Sequence, residues 1–329
     1  MTMTRRRGHL PGSRVSSCPS SHPRRDGRSD RATVLLLAAA IDWQLGEPPA
    51  SLHPVVWMGR LISLAEPTLL GGSSRRQLLL GGALAAGGMV GWFLVGWTLD
   101  RLLCQSPLLL PVRAWLLKCC LAWRALNEEA ARVEGALARG DLEAARAALR
   151  SLVSRETATL DRSQVAAAAI ESVAENVGDS LVGPALAFAV AGLGGAFAYR
   201  WVNTADAMIG YRGRYEWAGK LAARLDDAAN FLPSRLAAAL LLIAGPRRRA
   251  GLRALWHDHG ATASPNAGWP MAAMAGLLGR ALEKPGYYRL NAAAPPPDGG
   301  DIAAARSVAG WAWLLLLGGL ALALRAGRR

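Results

Sequence analysis

The sequence predicts an all-α fold: an integral-membrane helical bundle with broken or re-entrant helices and an amphipathic helical hairpin. Three observations lead there. Hydrophobic residues make up 52% of the 329-residue chain and the mean hydropathy is +0.17, both high for a soluble protein. Several apolar runs approach the roughly 20 residues that cross a hydrocarbon layer. Gly and Pro interrupt some of those runs, and broken helices at membrane depth survive only where they pack in protein or line a cavity.

Multi-span proteins of this size form one bundle, so residues 32–329 are expected to be a single membrane-embedded domain. Residues 1–31 differ. They hold eight arginines against two aspartates, with Ser, Pro and Gly and no apolar periodicity, which predicts a disordered tail able to attract anionic lipid. Much of the +14 net charge sits in this tail, so the charge balance calls for lipid or a phosphorylated substrate and not for nucleic acid. Cys18, Cys104, Cys119 and Cys120 show neither CxxC pairing nor His at metal-ligand spacing. Buried thiols are expected, without a zinc site or a disulfide framework.

The clearest span covers residues 77–99, with Trp92 and Trp97 toward one end, where interfacial rings sit. A second candidate covers residues 107–126, in which Arg113 and Lys118 must face protein or snorkel. The link 100–106 would make the two a hairpin. Residues 126–155 read as two amphipathic helices broken at Gly140, with Asp141 as N-cap. Residues 181–202 contain Pro184 and a glycine break from Gly192 to Gly195, which predicts two half-length helices folded back as a wall of a site. Apolar runs at 33–41, 232–245 and 309–324 are shorter than a comfortable span. Arginines flank many of these runs, and positive flanks favour the cytoplasm.

Chemistry concentrates in five polar stretches. Residues 42–60 carry Asp42, Glu47, His53 and Arg60 among turn-forming Gly and Pro, a pattern that taken alone favours an interfacial loop between helices. Residues 154–179 include Arg155, Glu171, Glu175, Asn176 and Asp179; the three carboxylates fall four residues apart and share a helical face. Like charges in one stripe persist more easily around a cation such as Mg²⁺, the alternative being a solvated face. In residues 201–214, Asn203 and Asp206 face one way at the end of an apolar segment, where an ionisable group is a functional candidate and a helix cap the alternative. Residues 220–235 gather Arg224, Asp226, Asp227, Asn230 and Arg235, pairing metal ligands with phosphate partners. Residues 264–270, with Ser264 and Asn266, form a turn before a small-residue helix whose N-terminus could receive an anion. Nearby His257 and His259 read as surface residues.

Taken in order, the pieces DWQLGEPPASLHPVVWMGRLI, SRETATLD, ESVAENVGDS, YRWVNTADAMIGYR, GKLAARLDDAANFLPSRL, SPNAGWPMAAMAGLLG and EKPGYY closely resemble the CbiB/CobD family of adenosylcobinamide-phosphate synthases, from about residue 34 to 290. The chain departs from the family pattern at Glu47, where Asp is usual, and in ENVGDS, which lacks the usual Thr and has Ser180 where Gly is common. The resemblance implies a multi-pass enzyme of the cell membrane whose active site faces the cytoplasm. It implies ATP- and Mg²⁺-dependent ligation of adenosylcobyric acid to (R)-1-amino-2-propanol phosphate, and leaves room for association with other membrane enzymes of late cobalamin synthesis.

From side-chain chemistry, Asp42, Glu175, Asp179, Asn203, Asp206 and Asn266 are the catalytic candidates. Asp226, Asp227, Glu175 and Asp179 are the metal candidates. Arg60, Arg155, Asn176, Arg224, Asn230, Arg235 and Ser264 are the candidates for nucleotide and substrate phosphate. Two other classes compete: a membrane prenyl- or phospho-transferase using Asp226 and Asp227, and a transport component without catalysis.

Overall fold

The computed structural model describes residues 27–326. Most of the tail therefore lies outside the described residues, but its last residues do not. Helix α1 (Gly27–Leu45) begins inside the segment expected to be disordered, and Arg31 has a structural task described below. The remaining helices are α2 (Pro54–Leu69), α3 (Ser74–Leu103), α4 (Leu110–Lys118), α5 (Trp123–Ala138), α6 (Leu142–Leu149), α7 (Arg162–Asn176), α8 (Gly183–Ile209), α9 (Lys220–Ala229), α10 (Phe231–Ala244), α11 (Arg248–Asp258), α12 (Gly268–Leu278) and α13 (Gly299–Ala326). A short antiparallel hairpin, β1 (Leu282–Lys284) and β2 (Tyr288–Leu290), pairs Leu282 with Leu290.

Helix α3, the α7–α8 run and α13 are long and apolar enough to cross a membrane, and the bent pair α9–α10 adds a fourth span if counted as one. Only 11% of the most apolar window of α3 is buried, so this helix turns most of its surface outward, as a lipid-facing span must. The α7–α8 run is central, with its own window 61% buried. The chain is thus a helical membrane bundle arranged around α7 and α8.

Close backbone approach fixes α3 against the second half of α8. Gly81 faces the backbone of Ala218, Gly88 faces the Trp201 indole, and a Cβ on Gly96 would lie 2.5 Å from the Leu193 carbonyl oxygen. These glycines recur at about every second turn, so one small-residue stripe meets the second arm of α8 and the segment that leads into α9. Trp201 fills the gap and donates from Nε1 to the Ala85 carbonyl at 3.1 Å, giving the buried indole its partner.

Helix α8 itself doubles back. Ala191 and Gly192 leave helical geometry, with Gly192 at φ +66° and ψ −154°, a region open essentially only to Gly. Beyond this point Gly195 packs on the Ala187 carbonyl and Tyr199 packs on Gly183. On a straight helix Gly183 and Tyr199 would be about 24 Å apart. The expected folded-back pair of half helices is therefore present, with its apex at Gly192. The carbonyls exposed by the break are satisfied by Arg31, which donates to Ala189 at 3.1 Å and Val190 at 3.0 Å. Asp100 abuts Gly192 and is held by Arg113 through bonds of 3.0 and 2.8 Å.

Several expectations need correction. The 107–126 span does not form: α4 ends at Lys118 and the chain turns through Cys119 and Cys120 into α5. Arg113 and Lys118 do face protein, both buried, and two buried cations so close together are incompatible with a lipid-facing helix. The 309–324 run is the inner part of the 28-residue α13, since flanking Gly, Ala and Ser extend the helix where apolarity alone stops. The amphipathic pair formed as expected, with Gly140 at φ +78° and Asp141 accepting from the Ala144 N–H at 2.9 Å. Cys119 and Cys120 are buried, Cys104 is exposed, and Cys18 lies outside the described residues.

The glycine stripe gives a direct test. Gly96→Ala should lower unfolding stability in detergent by about 1–3 kcal/mol, the usual penalty for overpacking, whereas Gly91→Ala, which has open space around it, should be neutral or slightly stabilising. Equal stability of the two variants in an SDS-denaturation titration contradicts this helix contact.

Candidate functional site

The turn in α8 brings Asn203 and Asp206 back to the level of Glu175 and Asp179. Without it, 31 residues of helix would hold Glu175 and Asp206 about 46 Å apart. Residues 165–174 of α7 are buried on every side, but Glu175, Asn176 and Asp179 are only half-buried, so the chain opens there onto a cavity. The opening coincides with a π turn, Val177–Val182, of the kind often found at functional sites. Asn176 braces it, donating from Nδ2 to the Ser172 carbonyl at 2.9 Å and accepting from the Ser180 hydroxyl at 2.8 Å. Glu171 and Glu175, four apart on α7, share a face as expected and line one depression, and Asp179 follows within the π turn. Glu175 and Asp179 reach the central group, while Glu171 pairs with Arg155.

Asp226 is the hub. Its carboxylate accepts from Asn203 Nδ2 at 3.4 Å and from Asn230 Nδ2 at 3.0 Å. Tyr199 donates its hydroxyl to Asn230 Oδ1, and Arg200 donates to Asn203 Oδ1 at 3.2 Å. Both amides are thus oriented by a second donor so that their N–H groups point at Asp226. Glu175, Asp179 and Asp206 all lie within electrostatic reach of this carboxylate. Four acidic side chains from α7, the π turn, α8 and α9 therefore share one half-buried space. Tyr199 and Arg200 escaped the sequence reading. Arg200 could have been flagged as a cation within an apolar run, and its buried Nε has no partner.

The turn before α12 docks on the same assembly from below. Asn266, buried, donates from Nδ2 to the Asp227 carbonyl at 2.8 Å and accepts from Arg235 at 3.1 Å. The Arg235 guanidinium stacks over Phe231 and Trp269, 3.6 and 4.6 Å from their ring centres. Ser264 turns inward and accepts from the Asn266 and Ala267 N–H groups at 3.2 and 3.4 Å. That hydroxyl closes the turn that holds Asn266.

A second depression adjoins the carboxylates. A polar cleft of about 170 Å³ is lined by the 152–155 loop, Glu171, Glu175, Asn176, Lys284 and Tyr288. Lys284 and Tyr288 lie in the piece EKPGYY but were not among the site candidates, because a three-residue strand carries no periodic signal. Tyr288 is pushed up, first by burial and then by the charges of Glu171 and Glu175, so it remains a protonated phenol and a hydrogen-bond donor.

The donor set suits a divalent cation in part. Among the described residues no three His, Cys, Asp or Glu side chains are grouped so as to hold a metal ion by themselves. Mg²⁺ ordinarily takes one or two carboxylates and completes its shell with water and substrate phosphate. Asp226 with Glu175 or Asp179 supplies that much. Asp227 stands at the edge of the group, within electrostatic reach of Asp206 and Asp226, with its carboxylate facing Arg224 at 3.8 Å.

A family model described as CobD/Cbib protein matches residues 35–314. The chain belongs to the CobD/Cbib family. It is 44% identical to the cobalamin biosynthesis protein CobD of Dehalococcoides mccartyi over 264 residues, covering 78% of this chain and 86% of the relative. It is 42% identical over 293 residues to the probable CobD of Thermococcus kodakarensis, covering 86% and 91%, and 39% identical over 274 residues to that of Methanocaldococcus jannaschii, covering 78% and 87%. No solved structure matches the chain. Membership of the CobD/Cbib family makes this an enzyme of cobalamin biosynthesis, acting on corrinoid-related substrates.

This CobD/Cbib chain does not gather its arginines. Arg60 is exposed on α2, Arg224 is exposed beside Asp227, Arg235 belongs to the α12 turn, and Arg155 stands in the second cleft, paired with Glu171 at 3.1 Å. Helical spacing places such residues on faces, but only packing decides which faces meet. His257 is exposed as expected; His259 is half-buried, with its ring 4.5 Å from that of Trp269.

Asp42 also lies elsewhere. It is buried between α1, α4 and α5, accepts from the Arg124 N–H at 3.0 Å and faces Lys118 at 3.6 Å. Lys118, fully buried, is bonded to Glu47 at 2.7 Å, and His53 meets the same Glu47 oxygen at 2.9 Å. His53 Nδ1 accepts from the Val55 N–H, which places its proton on Nε2, facing the carboxylate. Burial raises Glu47, but the hydrogen bonds from His53 and Lys118 outweigh it and hold the group below its usual range. This cluster ties three helices and the 46–53 loop together, a framework task.

Burial dominates at Asp42 and pushes it up to about 6, with the Arg124 N–H and Lys118 only partly offsetting. A carboxyl raised on folding binds its proton more tightly in the native state. Its contribution to stability is therefore full below about pH 4 and is lost as pH rises through about 6. Asp42→Asn should accordingly gain on the parent protein by about 2 kcal/mol between pH 4.5 and 7. Parallel pH–stability curves for the two proteins contradict this reading of the cluster.

Proposed function

We infer that the protein is an adenosylcobinamide-phosphate synthase: an ATP- and Mg²⁺-dependent ligase joining adenosylcobyric acid to (R)-1-amino-2-propanol phosphate. The observation that carries this reading is the convergence of Glu175, Asp179, Asp206 and Asp226 in a family of cobalamin biosynthesis. A carboxylate is a poor electrophile, so amide formation requires its activation. Transfer of the γ-phosphoryl group of ATP to the substrate carboxylate oxygen gives an acyl phosphate and ADP. The amine nitrogen then attacks the acyl carbon, phosphate leaves, and the ammonium proton passes to a protein carboxylate.

Each residue has work in that scheme. Asp226, held by Asn203 and Asn230, is the fixed acceptor, because its lone pairs are aimed by bonds that do not depend on substrate. Glu175, Asp179 and Asp206 surround it as proton acceptors. Asp226 with Glu175 or Asp179 would hold a Mg²⁺, which would supply charge neutralisation for the phosphoryl group. Tyr199 and Arg200 hold the amides in register. The Asp-rich pair of a prenyltransferase fits less well, since Asp226 and Asp227 turn to different neighbours. A cytoplasmic site accords with this reading, because nucleotide is supplied from that side.

Purified protein in detergent, given ATP, Mg²⁺, adenosylcobyric acid and aminopropanol phosphate, should release ADP and form the amide, read by mass spectrometry. Asp226→Asn should lower kcat at least a hundredfold, a loss of about 3 kcal/mol of transition-state stabilisation, with unchanged elution on size exclusion. Asn203→Ala should lower kcat less, by about tenfold. ADP and amide absent under conditions where a relative is active reject the ligase; full activity of Asp226→Asn removes the hub.

A further inference from the structure

The second cleft has a charge pattern that the central carboxylates lack. Two cations, Arg155 and Lys284, and two acids, Glu171 and Glu175, face one space of about 170 Å³. Its formal charge is balanced, so a polyanion such as a nucleotide gains little there, whereas a small molecule carrying one positive and one negative end gains at both. Size agrees. A water takes about 30 Å³ of liquid volume, so the cleft holds about as much as five or six waters, while drug-sized ligands need 300 Å³ or more.

Two buried polar atoms on its walls lack partners: Glu171 Oε1 and Arg155 Nε. Glu171 is 94% buried as a side chain, with its other oxygen bonded to Arg155 and the Tyr288 hydroxyl as a second neighbour. Leaving a charged group half-satisfied in the interior is unfavourable, and a ligand that completes both partners relieves it. Tyr288 adds a permanent O–H donor beside Glu171. The β1–β2 hairpin presents Lys284 and Tyr288 as a register pair, so both side chains leave the same face of the ribbon.

We propose that this cleft is the pocket for a small amino-alkyl phosphate, with Lys284 and Tyr288 of the hairpin at the phosphoryl end, the paired Arg155 and Glu171 as the wall between, and Glu175 at the ammonium end. The assignment rests on the ligase reading, in which the amine donor is such a molecule. It orients that donor. Glu175 belongs to both the cleft and the carboxylate group around Asp226, so the nitrogen enters the central space while the phosphoryl end stays behind on the hairpin. Lys284 and Tyr288 are then residues that discriminate a phosphorylated donor from a free amino alcohol.

The test compares Lys284→Gln and Tyr288→Phe with the parent protein, each checked for unchanged size-exclusion elution. In turnover, both variants should raise KM for aminopropanol phosphate about tenfold while leaving KM for ATP and for free aminopropanol unchanged. If amide forms and KM for the phosphorylated donor does not move in either variant, the cleft is a water-filled notch and the proposal falls while the ligase stands. If the parent protein forms no amide, the ligase reading fails and calorimetry decides the cleft. Saturable binding of aminopropanol phosphate, weakened about tenfold by Lys284→Gln and not reproduced by inorganic phosphate, upholds it; absence of binding to the parent protein overturns it.

Discussion

The fold depends on one backbone event, the reversal of α8 at Gly192. A membrane has no water to accept the carbonyls that such a break exposes, so the reversal exists only because Arg31 reaches Ala189 and Val190 while Asp100, anchored by Arg113, closes on the glycine. Three separate elements, α1, α3 and α4, each commit an ionised residue to that point. Such buried charges are costly in isolation and make sense as a mutually compensating set that holds one conformation.

Everything functional follows from the geometry of that reversal. It lays the second arm of α8 antiparallel to the α7 run, which brings Asn203 and Asp206 beside Glu175 and Asp179. The glycine stripe of α3 then clamps the returning arm from outside, and α9 closes the remaining side with Asp226. The acidic groups crowd together because the scaffold leaves them no alternative position. Their crowding stores repulsion that a bound cation or ammonium group relieves, which is how a site can favour charged substrates while remaining assembled without them.

A second buried ionic assembly, around Lys118, shows the same chemistry put to a different use. Asp42, Glu47 and His53 look as site-like in composition as the central residues, and they sit in a stretch shared with the family. Their partners are each other and the backbone of α5. The distinction lies in satisfaction: apart from one Asp42 oxygen, the Lys118 cluster is paired internally, whereas the walls of the second cleft retain unpartnered atoms on both an acid and a base. Composition marks both places as polar, and only the bonding separates a strut from a binding surface.

The sequence by itself determined the class of solvent, the helical architecture, the hairpin at Gly140, the break in α8 and the polar segments that carry the chemistry. Each is written in local terms, as apolar run length, a turn glycine, a capping aspartate or an ionisable group next to an apolar span. Tertiary structure decided which of those segments meet. It drew Asp226 to Asn203 and Asn230, sent Asp42 to Lys118 and Arg155 to Glu171, dispersed the arginines, and supplied Tyr199, Arg200, Lys284 and Tyr288, which no motif chemistry had singled out. The reason is physical: periodicity specifies the face on which a side chain stands, but the partner across from that face is set by how helices far apart in the chain pack.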